Sequence, residues 1–197
     1  MDLVLASGNA GKLAELRTLL ADDGFTLCAQ SEFGVPAAEE TGLSFIENAL
    51  LKARHAAAAT GLPALADDSG LCVDALGGAP GLYSARYAGP GGNGERNIAR
   101  LLAELEDVAD ADRGASFHCA IVLLRDATDP RPLVVEGRWR GRILGTPRGA
   151  GGFGYDPVFL DPASGLSAAE LPAAHKNAVS HRGLALAALR ARLHELA

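Results

Sequence analysis

The pattern of apolar and polar positions in the N-terminal third predicts strand, helix, strand, helix and strand in that order. Residues 3–6 form a short apolar run typical of a strand, and leucines recur at helical spacing over residues 13–20. Ser44 and Glu47 have the spacing of a capping box and predict the start of a second helix, which Gly61 ends. Because strands alternate with helices, the pattern favours an α/β layout with a partly parallel sheet.

The remaining chain predicts a third helix near residues 98–105, then two long strands and a C-terminal helix. The strands span residues 116–125 and 133–144. In the second strand apolar residues occupy one face and charged residues the other, as in a half-buried antiparallel strand. We therefore expect one α/β domain over residues 1–197. It should have a mixed, twisted central sheet with flanking helices, and two lobes around an active-site cleft.

Composition and charge exclude several classes of partner. Of the 197 residues 48% are apolar, enough for a sizeable core, and the formal net charge is −6. General binders of nucleic acid or anionic membranes need a basic surface, so we expect neither partner. The apolar runs are too short for a membrane helix, and the first residues lack the basic segment of a signal peptide. The three cysteines have neither disulfide nor metal-binding spacing, so we expect a cytoplasmic protein.

A polar turn joins the first predicted strand to the first helix, and it consists of Ser7, Gly8, Asn9, Ala10, Gly11 and Lys12. Small residues let backbone N–H groups approach a ligand, and a helix N-terminus favours anions. Lys12 adds a positive charge. The turn is too short for a Walker A loop and lacks its hydroxyl residue. It is a candidate phosphate site, with an ordinary strand-to-helix turn as the alternative.

Two pairs of adjacent acids are candidates for metal binding. Asp67 and Asp68 would follow a short strand over residues 64–66, and α/β sheets bind ligands at the carboxyl ends of their strands. Glu39 and Glu40 lie in the loop before the second predicted helix. Carboxylates without His or Cys favour Mg²⁺. The alternative is that both pairs lie in solvated turns.

A glycine-rich segment at residues 149–154 matches the string G-x-G-x-x-G. A dinucleotide-binding loop would need a helix directly after it, whereas Tyr155-Asp156-Pro157 follows here, so we reject that interpretation. The segment instead presents Phe153, Tyr155 and Asp156, which could stack on and hydrogen-bond a base. The alternative is a β-turn that leads into an apolar strand.

The last candidate segment is residues 176–182. Ser180 can cap a helix, which would place His181 and Arg182 in the first helical turn. Cations at a helix N-terminus oppose the helix dipole, and such a conflict is best tolerated where a ligand needs it. The alternative is a solvated helix start with His181 on the surface.

Together these segments resemble the inosine triphosphate pyrophosphatase family over nearly the whole chain, from Leu3 to about Leu189. The matching segments lie at residues 5–12, 39–43, 45–49, 67–71, 77–81, 83–87 and 152–157, at Lys176 and at residues 180–183. Their order and spacing together are specific. The resemblance implies an enzyme that hydrolyses dITP, ITP and XTP to the monophosphate and pyrophosphate, using Mg²⁺ and acting as a homodimer.

The resemblance also implies catalytic and metal-binding roles. Asp68 is expected to be the general base and a Mg²⁺ ligand, with Glu39 as the second metal carboxylate. Water would attack the α-phosphorus, and Asp68 would take its proton. The roles of the neighbouring Asp67 and Glu40 stay open.

For substrate binding, the resemblance implies one set of residues for each part of a nucleotide. Ser7, Asn9 and Lys12 of the polar turn are expected to bind the triphosphate. Ser69 is expected to lie beside the substrate. The nucleoside pocket would comprise Phe153, Gly154, Tyr155, Asp156, Lys176, His181 and Arg182. His181 and Arg182 can donate to a 6-oxo group, and facing the 6-amino group of adenine they would be left unpaired.

Two other functions remain open from the sequence. One is a related house-cleaning pyrophosphatase for pyrimidine or modified nucleotides, against which the Ser180-His181-Arg182 pocket argues. The other is a nucleotide-binding module without turnover, which would have no use for Glu39 and Asp68 around a metal. Pyrophosphate release from dITP with and without Mg²⁺ distinguishes these possibilities.

Overall fold

The structure is a computed structural model, and it describes residues 2–20 and 24–196. The strands within these residues are β1 (Asp2–Leu5), β2 (Thr26–Ala29), β3 (Ala64–Val73), β4 (Gly114–Leu124), β5 (Leu133–Ile143), β6 (Phe159–Asp161) and β7 (Leu166–Ser167). The α-helices are α1 (Ala10–Leu19), α2 (Phe45–Thr60), α3 (Gly94–Glu104), α4 (Ala173–Val179) and α5 (His181–Arg192). Among the described helices, none has the length and apolar character needed to cross a membrane.

The strands form a single mixed sheet in the order β2-β1-β3-β4-β5-β6-β7. β1 runs parallel to β2 and β3, whereas β6 runs antiparallel to β5 and β7. The predicted α/β class with a mixed sheet and flanking helices is confirmed. Ser44 caps α2 by accepting a hydrogen bond from the backbone N–H of Glu47, and Gly61 ends that helix in the left-handed conformation, as predicted. The predicted alternation along β5 is also present, with Trp139 buried and its neighbours Arg138 and Arg140 exposed.

The predicted short strand over residues 64–66 is wrong, because β3 continues to Val73. Asp67 and Asp68 therefore lie in the middle of a strand, 1% and 7% exposed, instead of at its carboxyl end. Burying a carboxylate costs free energy unless a cation compensates it. Lys12 pairs with Asp67 and Lys52 pairs with Asp68, so β3 can contain two adjacent buried acids.

The chain divides into two compact units. Unit 1 comprises Met1–Asp68, Cys119–Gly137 and Arg182–Ala197, and unit 2 comprises Ser69–His118 and Arg138–His181. In unit 1, one apolar cluster includes Leu16, Ile121 and Leu186, and a second is rich in alanines such as Ala53. Four of these alanines, Ala49, Ala53, Ala56 and Ala57, lie on α2, where small side chains let the helix pack closely on the strands of unit 1.

Unit 2 has a core rich in aromatic side chains. Phe117, Trp139 and Phe159 form its centre, and Leu101 of α3 is fully buried in the same cluster. Rings bury large apolar areas and pack in tilted or offset geometries, so this core is comparatively stiff. Phe117 of this core contacts His181, one of the predicted site residues.

Candidate active site

The polar turn that begins with Ser7 leads into α1 earlier than predicted. Asn9 is the N-cap of the helix, so Ala10, Gly11 and Lys12 form the first helical turn. The hydroxyl of Ser7 accepts a hydrogen bond from the Asn9 N–H at 3.2 Å, and Asn9 Oδ1 accepts from the Lys12 N–H at 3.1 Å. Gly8 and Asn9 are exposed. The helix N-terminus here is rigid, accessible and positive, which suits an anion.

Asp67 is a fully buried carboxylate that binds two cations. Its Oδ2 lies 3.2 Å from Lys12 Nζ and 3.1 Å from Arg182 Nη2. Burial alone would raise the pKa of Asp67, but Lys12 and Arg182 hold that pKa well below its ordinary value. The second oxygen, Oδ1, is buried and has no hydrogen-bond partner among the described residues. Asp67 is therefore a fixed negative charge that positions two cations.

Arg182 lies in the first turn of α5, as predicted, but it does not face solvent. Its side chain is 2% exposed, Nη2 donates to Asp67, and Nη1 donates to Glu15 of α1. Burial disfavours the charged guanidinium, and the carboxylates of Asp67 and Glu15 nevertheless keep the pKa of Arg182 above its ordinary value. The alternative of a solvated helix start is wrong, since His181 and Arg182 are both buried.

Asp68 is held by Lys52, a residue of α2. Lys52 Nζ donates to Asp68 Oδ1 at 2.8 Å and to Glu40 Oε1 at 3.0 Å. Burial raises the pKa of Asp68, and the nearby ammonium of Lys52 opposes that rise. An acceptor with a raised pKa inside a polar cluster is suited to general-base chemistry. We call Lys12, Lys52, Asp67, Asp68 and Arg182 the unit 1 cluster.

The rarity of lysine in the sequence marks Lys52 as a position to test, but sequence reasoning gave it neither a role nor a partner. The chain has only three lysines among its 18 basic residues, and all three form ion pairs with candidate site acids. Where arginine is the usual cation, a rare lysine marks a place where a compact point charge is needed. Of the two glutamates, Glu40 is the one that contacts Lys52, while Glu39 is exposed.

Asp68 of the unit 1 cluster and the neighbouring Glu40 fit a divalent cation of the Mg²⁺ class by their donor chemistry. Asp68 and Glu40 offer carboxylate oxygens and already share one positive charge, the ammonium of Lys52. Within the described part of the chain, no group of three or more His, Cys, Asp or Glu side chains forms a ready metal site. Mg²⁺ typically binds through one or two carboxylates together with substrate phosphates, so a sparse set of protein ligands is compatible with it.

In unit 2, Asp156 organises the glycine-rich segment. Its Oδ2 accepts a hydrogen bond from the Phe153 N–H at 2.8 Å and from Lys176 Nζ, on α4, at 2.6 Å. The same ammonium lies 5.6 Å from the centre of the Phe153 ring. Phe153 is 37% exposed, and the neighbouring Gly154 is exposed as well. The segment thus presents an accessible aromatic face beside a cation, a surface on which a base can stack.

Tyr155 and Ser69 are less exposed than Phe153 and Gly154. Tyr155 is 4% exposed, and its hydroxyl donates to the carbonyl oxygen of Ser84 at 2.8 Å. It therefore anchors the segment to the rest of unit 2. Ser69 is half-buried in β3, directly after Asp68. The glycine-rich segment is followed by a single 3-10 turn (Asp156–Val158) and then by β6 instead of an α-helix, which agrees with rejecting the dinucleotide-binding interpretation.

His181 begins α5 and stacks on the ring of Phe117. The two ring centres are 4.8 Å apart, and their planes differ by 12°. Imidazole nitrogens can donate or accept hydrogen bonds, so a buried and oriented ring is suited to reading the edge of a base. We call Phe153, Asp156, Lys176 and His181, which all belong to unit 2, the unit 2 cluster; the first three contact one another, and His181 contacts Phe117.

Comparison with known families identifies the chain. A model of the Ham1 family matches residues 3–192. The chain belongs to the Ham1 family. The matched range contains every residue of the two clusters, and it confirms the resemblance found in the motifs.

Individual Ham1 relatives agree with this assignment. The chain is 61% identical to the dITP/XTP pyrophosphatase of Xanthomonas campestris pv. campestris over 98% of each chain. It is 62% identical to the dITP/XTP pyrophosphatase of Yersinia pseudotuberculosis over 93% of each chain. A solved HAM1 protein from Coxiella burnetii has a TM-score of 0.91, with 52% identity over 99% of each chain. The Staphylococcus aureus Ham1 protein has a TM-score of 0.87, with 38% identity over the full length of both chains.

Proposed function

We propose that this Ham1-family chain hydrolyses non-standard purine nucleoside triphosphates, such as dITP, ITP and XTP, to the monophosphate and pyrophosphate. The relatives that are 61% and 62% identical to it carry the name dITP/XTP pyrophosphatase. The structural observation that supports the proposal most is the buried pair of Lys52 and Asp68, joined at 2.8 Å. A nucleotide-binding module without turnover would have no need for a carboxylate held in this way.

The N-terminal turn of α1 binds the triphosphate in this proposal. The backbone N–H groups of Ala10 and Gly11 belong to the first helical turn, where the helix itself does not use them, whereas the N–H of Lys12 is taken by the Asn9 cap. Lys12 adds an ammonium that already faces a carboxylate, that of Asp67. A phosphate oxygen can therefore share this ammonium with Asp67, and Asn9 keeps the turn in place through its cap.

Asp68 acts as the general base. Water attacks the α-phosphorus, the proton passes from that water to a carboxylate oxygen of Asp68, and pyrophosphate leaves. Lys52 bonds only Oδ1 of Asp68, so it orients the carboxylate while Oδ2 can accept the proton. Preorganised charges of this kind account for much of the rate in phosphoryl transfer.

We propose Mg²⁺ as the cofactor, held by Asp68 and a glutamate of the loop before α2. Contact with Lys52 favours Glu40 over Glu39 as that glutamate. When bound, the cation supplies positive charge to the phosphate oxygens and favours deprotonation of water. The residues of the chain still do the positioning: Lys12 and α1 hold the phosphates, and Lys52 holds Asp68.

The unit 2 cluster reads the base. The exposed ring of Phe153 provides a stacking surface, Lys176 is fixed by Asp156, and His181 presents a hydrogen-bonding ring nitrogen. A donor that faces a 6-oxo group is satisfied, whereas the 6-amino group of adenine leaves it unpaired. We assign base reading to His181 in preference to Arg182, because both terminal nitrogens of Arg182 already bond to acids.

We also propose that the enzyme is cytoplasmic and homodimeric, as the family resemblance implies. Multi-angle light scattering of the purified chain tests the dimer. The function itself is tested by measuring pyrophosphate release from dITP, XTP, dATP and dUTP, each with Mg²⁺ and with a chelator. The proposal expects Mg²⁺-dependent release that is fastest with dITP and XTP. Preferred turnover of dUTP would instead support a pyrimidine house-cleaning enzyme, and binding without release would support a nucleotide-binding module.

A further inference from the structure

Phe117 of β4 covers one face of His181 inside unit 2. Their ring centres lie 4.8 Å apart with an angle of 12° between the planes, a geometry in which aromatic rings attract each other. Both residues are 8% exposed, so little water competes for the contact. The orientation of the imidazole is therefore coupled to the orientation of the Phe117 ring.

The ring of Phe117 is itself held in place by other aromatic residues. The Phe159 ring lies 4.6 Å from it and the Trp139 ring 6.3 Å from it, measured between centres. Trp139 in turn donates a hydrogen bond from Nε1 to Asp161 Oδ1 at 3.3 Å. A buried ring packed in this way has little room to rotate. Because His181 stacks on this ring, the packing of the unit 2 core also restricts rotation of the imidazole.

We infer that Phe117 is a positioning residue for base selectivity, which acts by fixing the plane of the His181 imidazole. This inference rests on the proposed function, because it gives His181 the task of meeting the 6-oxo group. Hydrogen bonds weaken steeply as their angle departs from linear, so an imidazole free to turn would discriminate less between oxo and amino groups. The Phe117 side chain offers no polar atom with which to read a base, and it meets a proposed base-reading group directly through its stack on His181.

The test compares Phe117→Leu with Phe159→Leu. Leucine keeps an apolar side chain at position 117 but removes the flat ring on which His181 stacks. Phe159 is a matched control, since it belongs to the same aromatic cluster and is 0% exposed, and its recorded ring contacts are with Phe117 and Trp139. Both variants lose core packing, and only the first directly removes the stack.

The readout is the ratio of kcat/KM for dITP to kcat/KM for dATP. In Phe117→Leu this ratio should fall about tenfold, mainly through a higher KM for dITP, as expected from the size of an aromatic pair contribution. In Phe159→Leu the Phe117 ring on which His181 stacks is kept and Trp139 still packs against it, so the ratio should fall much less, by about twofold at most, even though the melting temperature falls. Phe117→Tyr, which keeps the ring, should retain the wild-type ratio. Adding Phe117→Leu to His181→Ala should change the ratio no further, because the effect passes through His181.

An unchanged ratio in Phe117→Leu, or an equal loss for dITP and dATP, would overturn the inference. If Phe117→Leu does not fold, Phe117→Met removes the ring with a more adaptable side chain and is judged by the same ratio. Wild-type enzyme that releases no pyrophosphate from dITP would overturn the proposed function, and this inference with it. Wild-type selectivity that survives loss of the ring would overturn the inference alone.

Discussion

The ammonium of Lys52 lies 2.8 Å from Asp68 Oδ1 and 3.0 Å from Glu40 Oε1, so one cation holds two carboxylates. Desolvation lowers the pKa of Lys52, but the combined attraction of Asp68, Asp67 and Glu40 outweighs it, and the net pKa is raised. The lysine therefore stays charged at neutral pH. It orients Asp68 and keeps two acids together that would otherwise repel each other.

Replacing Lys52 tests this relationship. Lys52→Met should reduce pyrophosphate release from dITP by about a hundredfold or more, because Asp68 loses the charge that orients it. Arg54→Met is the matched control: Arg54 lies on the same helix and donates to the carbonyl oxygens of Ala127 and Asp129. That variant should lower the melting temperature and leave the rate within about threefold. Equal rates for the two variants would contradict the role given to Lys52.

The adjacent acids Asp67 and Asp68 of β3 should differ in how much stability the protein loses when their charge is removed. Asp67→Asn leaves Lys12 and Arg182 without their shared carboxylate, so the free energy of unfolding should fall by about 3 kcal/mol. Asp68→Asn should change it by less than about 1 kcal/mol, since the raised pKa of Asp68 means that folding gains little from its charge, and Lys52 keeps Glu40 as a partner. Urea unfolding of both variants measures the difference. A more stable Asp67→Asn than Asp68→Asn would contradict this division of roles.

Local sequence signals predicted local structure well. The cap of α2 at Ser44 and the alternating faces of β5 depend on residues only a few positions apart, and both are present. The length of β3 was not predictable in this way. Its acids are neutralised by Lys12, Lys52 and Arg182, which come from three different helices far apart in the chain.

The candidate site shows the same limit. Motifs pointed to Asp68, Asp156 and His181, and the structure gives each of them a defined partner. The motifs did not indicate that Lys52 is the partner of Asp68 or that Phe117 is the partner of His181, because neither residue lies in a distinctive motif. Partners of this kind depend on tertiary packing, which spacing along the chain does not encode.

Because Gly152 has no side chain, the Asp156–Lys176 ion pair can occupy the space next to it. A Cβ at Gly152 would lie 2.0 Å from Asp156 Oδ2 and 3.0 Å from Lys176 Nζ, and the residue has a φ of +70°. Gly152→Ala should therefore break the pair and raise the KM for dITP about tenfold, with a smaller change in kcat. Gly165→Ala is the control, because its φ is +71° but a Cβ there meets nothing within 4 Å. Steady-state kinetics should show the KM change in the first variant alone; a similar rise in both would attribute it to backbone strain.

Asp129 should contribute stability that depends on pH. Its carboxylate accepts hydrogen bonds from the Arg125 guanidinium and from the N–H groups of Arg125 and Arg131, which hold its pKa below the ordinary value of 3.8. A lowered pKa in the folded state means that this stability is present above pH 3.8 and is lost as the pH falls below it. Asp129→Asn should cost about 2 kcal/mol at pH 7.

Urea unfolding at pH 7 and pH 3 checks this expectation. The difference between wild type and Asp129→Asn should be smaller at pH 3, because the carboxylate is then largely protonated in the unfolded wild-type chain but still ionised in the folded one, so folding must release a proton. A difference that does not change with pH would show that the charge of Asp129 is not what stabilises the turn between β4 and β5.

Asp68 as the general base is the central claim, and one measurement tests it most directly. Pyrophosphate release from dITP with saturating Mg²⁺ is compared between wild type and Asp68→Asn, together with the urea midpoint of each. The account predicts that the rate of the variant falls below about a hundredth of wild type while the midpoint is retained. A folded Asp68→Asn protein that keeps more than about a tenth of the wild-type rate would contradict it.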